Sequence, residues 1–246
     1  MTALRNVVAP AGGSLGRLQD VDWAAVTDAL HAQGYATLRG VLDPCECAAV
    51  RELYHRPALF RSRVVMARHG FGQGEYQYFS YPLPAMIEAQ RHHLYRHLAP
   101  VATVWAERLG SGALYPATLD EYLERCHAQG QTRPTPLLLK YSAGDYNRLH
   151  QDLYGGEHFP LQAAVLLSAP GSDFAGGEFV LTETAPRRQT RAEVVPLSQG
   201  DMVIFAVNHR PEASAKGFSR VAMRHGVSTV RSGSRMTLGI IFHDAA

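Results

Sequence analysis

Residues 137–168, "LLLKYSAGDYNRLHQDLYGGEHFPLQAAVLLS", decide how the second half of this chain is read. Two short β-like runs, "LLLKYS" and "LQAAVLLS", flank a segment broken by Gly, Asp and Pro, the punctuation of strands joined by turns. Between them His150 and Asp152 stand two residues apart. In an extended segment, residues i and i+2 share a face, so the imidazole and the carboxylate can converge on one point. Alone, such a pair is more often a polar strand edge than a site.

The same texture recurs downstream in "GEFVLTE", "AEVVPL", "DMVIFAV", "RHGVSTV" and "RMTLGIIFH". Strands at such regular intervals predict a sandwich or barrel, here a double-sheet jelly roll. Upstream the pattern is helical. In residues 20–33, "DVDWAAVTDALHAQ", Trp23, Val26 and Leu30 recur at helical spacing and Gly34 is a stop signal. "YATL" follows as a short strand. Asp43 with Pro44 behind it starts a helix running through Leu53, and further helical regions fall at about 83–109 and 119–128. Residues 1–19, with Pro10 and a Gly-Gly pair, read as a loose arm. The expected fold is α+β, mainly β. A single domain over 20–246 would comprise a helical part (20–135) packed on the major sheet of a jelly-roll core (136–244), because the helices need that sheet to bury their apolar faces.

A chain of 246 residues fits one such unit. Cys45, Cys47 and Cys126 make no disulfide framework and point to a reducing compartment. Cys45-Glu46-Cys47 lies inside a helical pattern and lacks a second cysteine pair, so it is not read as a metal site. The net charge of +2 permits a nucleic-acid partner without arguing for one. The N-terminal residues hold no apolar run long enough for a signal peptide or membrane span. The expectation is a cytoplasmic protein with no membrane partner.

A third ligand for His150 and Asp152 must come from elsewhere in the chain, and His209, His225 and His243 compete. His209 sits in "NHRPEAS", which reads as a turn-rich loop. His243 lies near the C-terminus, where the chain can fray. His225 opens "HGVSTV", and Arg235 follows ten positions on in the next strand, with Thr237 two residues beyond on the same face. Two histidines and one aspartate form a facial set that leaves positions open on a ferrous ion. Such an ion can be chelated by the keto-acid end of 2-oxoglutarate, whose far carboxylate then suits the planar fork of Arg235 and the hydroxyl of Thr237. Tyr141, nine residues before His150, can add a phenolic hydrogen bond.

The pattern H-x-D, a distant H, then R-x-[ST] about ten residues later resembles the Fe(II)/2-oxoglutarate-dependent dioxygenases. The neighbouring segments "YSAGDYNRLHQD", "GGEFVL" and "GDMVIF" are similar too. The resemblance implies a double-stranded β-helix with His150, Asp152 and His225 as iron ligands, Arg235, Thr237 and Tyr141 on 2-oxoglutarate, and dioxygen as co-reactant. More narrowly, "YNRLHQDLYGGEHFPLQ", "RAEVVPLSQGDMVIFAVNHRP" and "MRHGVSTVRSGSRMTLGIIFHDA" resemble a bacterial group thought to act on damaged nucleic acid. The run from Tyr141 to Asp152 is similar to the approach to the iron in AlkB-type demethylases. Those enzymes place their carboxylate-binding arginine further beyond the distal histidine, and have Asn where this chain has Leu139. The clamp is closer to the prolyl-hydroxylase type. The implied reaction is hydroxylation of a C–H bond. Its substrate is either a damaged nucleobase in DNA or RNA, single strands included, or a peptide, free amino acid or other small metabolite.

Residues 61–84 bear on that choice. Arg61, Arg63, Arg68 and His69 are interleaved with Phe71, Tyr76, Tyr78, Phe79 and Tyr81. Basic residues among aromatics can contact phosphates and stack on an extruded base. A hairpin whose aromatics pack on the barrel reads equally well. Gly70, Gly72 and Gly74 are expected to make a flexible substrate lid, Gly176-Gly177 a turn, and Arg187, Arg188 and Arg191 an exposed loop near the site mouth.

Overall fold

Beyond Pro136 the chain alternates between two antiparallel sheets, and this alternation creates the site. The structure, a computed structural model, describes residues 12–153 and 155–246. Its first part contains α1 (Gly12–Gln19), α2 (Trp23–Gln33), β1 (Tyr35–Leu38), α3 (Pro44–Glu52), β2 (Phe60–Val65), β3 (Gly72–Gln73), β4 (Glu75–Phe79), α4 (Ala85–Arg108) and α5 (Leu119–Ala128). The core follows with β5 (Leu137–Ser142), β6 (Tyr146–His150), β7 (Leu161–Leu166), β8 (Phe174–Gly176), β9 (Phe179–Thr184) and β10 (Arg191–Val195). It ends with β11 (Met202–Ala206), β12 (His209–Ser214), β13 (Gly217–Val227) and β14 (Val230–Ile240). One sheet runs β1-β11-β7-β14-β5-β4-β2, with β8 on β14; the other runs β10-β9-β13-β6-β3, with β12 on β13. Strands β5, β7, β11 and β14 thus oppose β6, β9, β10 and β13, the double-stranded β-helix expected.

Helices start where side chains can satisfy their first N–H groups. Asp22 accepts from Ala24 and Ala25, while Asp43/Glu46 and Thr118/Glu121 form reciprocal capping boxes. The expectation of a loose arm over 1–19 is corrected for its second half. Residues 12–19 form α1, because Leu18 inserts fully into the core and gives the segment something to bury. Residues 1–11 lie outside the described residues.

The major sheet is covered on both faces, with helices on one side and the smaller sheet on the other. Leu161, Ala163 and Val165 of β7, Met202 and Ile204 of β11, and Met236, Leu238 and Ile240 of β14 share one core cluster with Leu30 of α2 and Leu94, Leu98 and Trp105 of α4. The residues between them, including Gln162, Phe205, Arg235 and Thr237, line a cavity of about 350 Å³ between the sheets. Side-chain direction has period two in a strand, so each inward residue is fixed by outward neighbours packed under the helices.

Two expectations about histidines change. His209 does not lie in a loop: it opens β12, which pairs with the first half of β13 at the sheet margin, where Pro211 is tolerated. His243 does not fray, since Arg91 of α4 reaches under the C-terminal segment. It donates to the carbonyls of Ile241 and Phe242 (2.8 and 3.0 Å) and to Asp244 Oδ1 (2.9 Å). Arg91 and Asp244 are both buried, and Asp244 also accepts from Tyr81 at 2.9 Å. Asp244→Ala would leave Arg91 buried without its carboxylate, so we expect a stability loss of about 3–5 kcal/mol, read from urea denaturation.

Candidate metal centre

The register of the smaller sheet places His225 of β13 directly opposite His150 at the end of β6, with ring centroids 4.2 Å apart. Side chains of directly paired residues project from the same face. Asp152 departs from expectation. It lies past the end of β6 in irregular backbone, not on the strand. Its carboxylate nevertheless meets both rings, Oδ1 at 3.3 Å from His150 Nε2 and Oδ2 at 3.3 Å from His225 Nε2. The three groups offer ligand atoms within 4.8 Å of one another, the geometry of a divalent-metal site. Neither His209 nor His243 belongs to it.

Burial alone would push Asp152 up, but hydrogen bonds and charge from His150 and His225 hold its carboxyl well below the usual carboxylate range. Burial also works against a charged His150, yet the Asp152 carboxylate beside it wins and raises its pKa. His225 is lowered, first by burial and then by the charge of His150. His150 Nδ1 donates to the Arg148 carbonyl at 2.7 Å, which leaves Nε2 as the ligand nitrogen.

Arg235 occupies the same cavity, 2% exposed, directly opposite Tyr141 in the β14–β5 register. Its Nη1 donates to Thr237 Oγ1 at 2.6 Å, and its guanidinium carbon stands 5.7 Å from the Tyr141 ring and 5.9 Å from the Phe174 ring. Arg235 Nε has no partner, and among the described residues no carboxylate lies within ion-pair distance. Burial lowers the Arg235 pKa and raises that of Tyr141. A buried guanidinium without a counter-ion costs several kcal/mol unless a ligand supplies the anion.

Sequence reasoning missed two contributors. Gly177, at φ +61°, packs on the stem of Arg235, where a Cβ would sit 2.9 Å from Arg235 Cδ. Instead of the expected turn, Gly176 ends β8 and Gly177 stands in the short link to β9, in close approach to Arg235. Gln162 on β7 donates to Asp152 Oδ2 at 2.9 Å. A lone amide in the apolar run "LQAAVLL" was the available signal.

The expected substrate segment divides. Tyr76 and Tyr78 of β4 and Phe71 line the cavity, while Arg61 covers the Tyr78 ring at 4.5 Å and Arg63 pairs with Glu75. Phe79 is fully buried. Gly70 has open space around it, whereas Gly72 and Gly74 make close contacts. At Gly72 (φ +143°) a Cβ would collide with the Tyr146 carbonyl, and at Gly74 (φ +110°) it would lie 2.9 Å from Tyr141 Cδ1. Strand β3 pairs with β6 of the smaller sheet while β2 and β4 belong to the major one, so this segment bridges the sheets at the cavity rim. Arg188 and Arg191 pair with Glu212 and Glu183, and neither they nor Arg187 line the cavity.

Residues 74–245 match the family Oxygenase-NA, described as "Oxygenase, catalysing oxidative methylation of damaged DNA". The chain belongs to this oxygenase family. It is 48% identical over 168 residues to an uncharacterized protein of Mycobacterium tuberculosis, covering 68% of this chain and 72% of that one. Its fold is similar to a Pseudomonas putida prolyl-4-hydroxylase (TM-score 0.53, 16% identity, 91% of this chain and 99% of that chain). It is also similar to an oxidoreductase of the 2OG-Fe(II) oxygenase family from Burkholderia pseudomallei (TM-score 0.52, 17% identity, 92% and 94%).

Asp152→Ala should weaken Co(II) binding by more than about 100-fold, beyond the loss typical for a residue that only supports a ligand. Isothermal titration of the metal-free protein checks this; affinity within twofold of the parent would remove Asp152 from the centre.

Proposed function

We propose that this oxygenase uses Fe(II), 2-oxoglutarate and dioxygen to hydroxylate a C–H bond of a damaged nucleobase in DNA or RNA. The observation that carries the cosubstrate is Arg235: a buried cation without an acidic partner, in one cavity with two imidazoles and a carboxylate. The donor set fits ferrous iron, which such facial sites hold with positions left open. His150, Asp152 and His225 would hold the metal. Arg235 would take the far carboxylate of 2-oxoglutarate, supported by Thr237 and by Tyr141 across the strand pair. When bound, iron and 2-oxoglutarate supply the oxidising power: dioxygen is split between succinate, formed with release of carbon dioxide, and the new hydroxyl group.

The chain's own residues orient and exclude. Leu139, Phe179 and Phe205 wall the cavity with apolar surface, which strengthens the charged contacts inside it. At the rim Phe71 is 48% exposed and stacks on His69, with Arg148 and Leu149 alongside. An exposed aromatic beside cationic groups suits a base and its phosphates, and the family description points the same way. On an N-methyl group, hydroxylation followed by loss of formaldehyde amounts to demethylation. Among the described residues no helix is long and apolar enough to cross a membrane. The three free cysteines fit a cytoplasmic site of action.

Methylated single-stranded oligonucleotides should stimulate succinate formation and release formaldehyde, with binding that weakens steeply as salt rises. Stimulation by peptides or free amino acids instead would assign the enzyme to that substrate class.

Arg235→Met separates function from folding. Removing an unpaired buried charge should leave the ligand-free melting temperature unchanged or higher. The dissociation constant for 2-oxoglutarate should rise about 30-fold or more, equivalent to about 2 kcal/mol. Unaltered 2-oxoglutarate affinity would remove Arg235 from the clamp.

A further inference from the structure

Gln162 is a polar exception in an apolar strand. Its neighbours Leu161 and Ala163 pack under the helices, while Gln162 turns into the space between the sheets and is 5% exposed. Burying an amide costs about 1–3 kcal/mol unless hydrogen bonds replace water, so the partners of this one matter. Nε2 donates to Asp152 Oδ2 at 2.9 Å and lies 3.2 Å from His225 Nε2. The amide orientation follows from chemistry, since the opposite flip would set Oε1 against a carboxylate oxygen. Oε1 itself is buried with no partner.

The two histidines are anchored differently. His150 is held through Nδ1 on the Arg148 carbonyl. A ligating imidazole usually has such an anchor, but His225 Nδ1 is buried and has none among the described residues. The His225 ring is placed by packing against Phe205, 4.7 Å between centroids, and by Asp152 and Gln162 at Nε2. A cation taking Nε2 would displace the Gln162 contact there and leave Asp152 as the acceptor for the amide.

We propose that Gln162 is a positioning residue of the metal centre. It fixes the rotation of the Asp152 carboxylate and holds His225 ready before the metal arrives. This rests on the reading of the centre as a metal site, and the test separates the two.

Co(II) is titrated into metal-free parent, Gln162→Met and Gln162→Asn proteins, following both affinity and the visible absorption of the bound ion. Met keeps the length of the side chain without its amide; Asn keeps the amide one carbon short of Asp152. Both variants should bind Co(II) about 10–100-fold more weakly, with shifted absorption bands and an unchanged melting temperature of the metal-free form. A purely structural glutamine would change the melting temperature and leave the affinity and bands of the bound ion alone, which overturns the assignment. Should Gln162→Met fail to fold, the same titration of Gln162→Asn decides between the two outcomes. A parent protein that does not bind Co(II) overturns the metal reading itself. A parent that binds, with unaffected variants, overturns only the role of Gln162.

Discussion

Strand β14 serves two environments at once, and the rest of the molecule is arranged around that constraint. Met236, Leu238 and Ile240 face the helices, while Arg235 and Thr237 face the cavity. A shift of one residue would exchange the two sets and bury a guanidinium under α4. Arg91 guards against this by gripping the backbone just beyond the strand and pairing with Asp244. The helical layer therefore helps set the register that turns Arg235 and Thr237 toward the cavity.

The charges in the cavity are unequally compensated. Asp152 is shared by two imidazoles, so its carboxylate has a partner on either side. Arg235 is surrounded by rings and a hydroxyl and, among the described residues, forms no ion pair with a carboxylate. A guanidinium left in that state costs stability, and an anion entering the cavity would offset the cost.

The outline of this arrangement was legible in the sequence because its signals are local. Period-two runs marked the strands, and R-x-T placed two polar groups on one face of β14. The pairing of His150 with His225 and of Tyr141 with Arg235 is a matter of register, which residue spacing constrains once the strand order is known. What escaped depends on contacts distant in sequence. Asp152 reaches the site from beyond its strand, and α1 forms only because a core exists to receive Leu18. Gln162 reads as an interruption of an apolar run until Asp152 is seen beside it. Gly72 and Gly74 resembled hinge residues, whereas their reason is proximity to β6 and Tyr141.

The tie between the sheets at the rim carries the cavity entrance on main-chain bonds. Residues 71–73 join β6 through main-chain bonds, Arg148 N–H to the Phe71 carbonyl at 2.9 Å among them, and the flanking strands join the other sheet. Such bonds are indifferent to side chains, apart from the glycines that permit the approach. The frame is nevertheless continuous with the histidine pair: Arg148, whose N–H holds the Phe71 carbonyl, accepts from His150 Nδ1 through its own carbonyl. Whatever rests on Phe71 therefore leans on the same strand that orients His150, so the entrance and the histidine pair cannot shift independently.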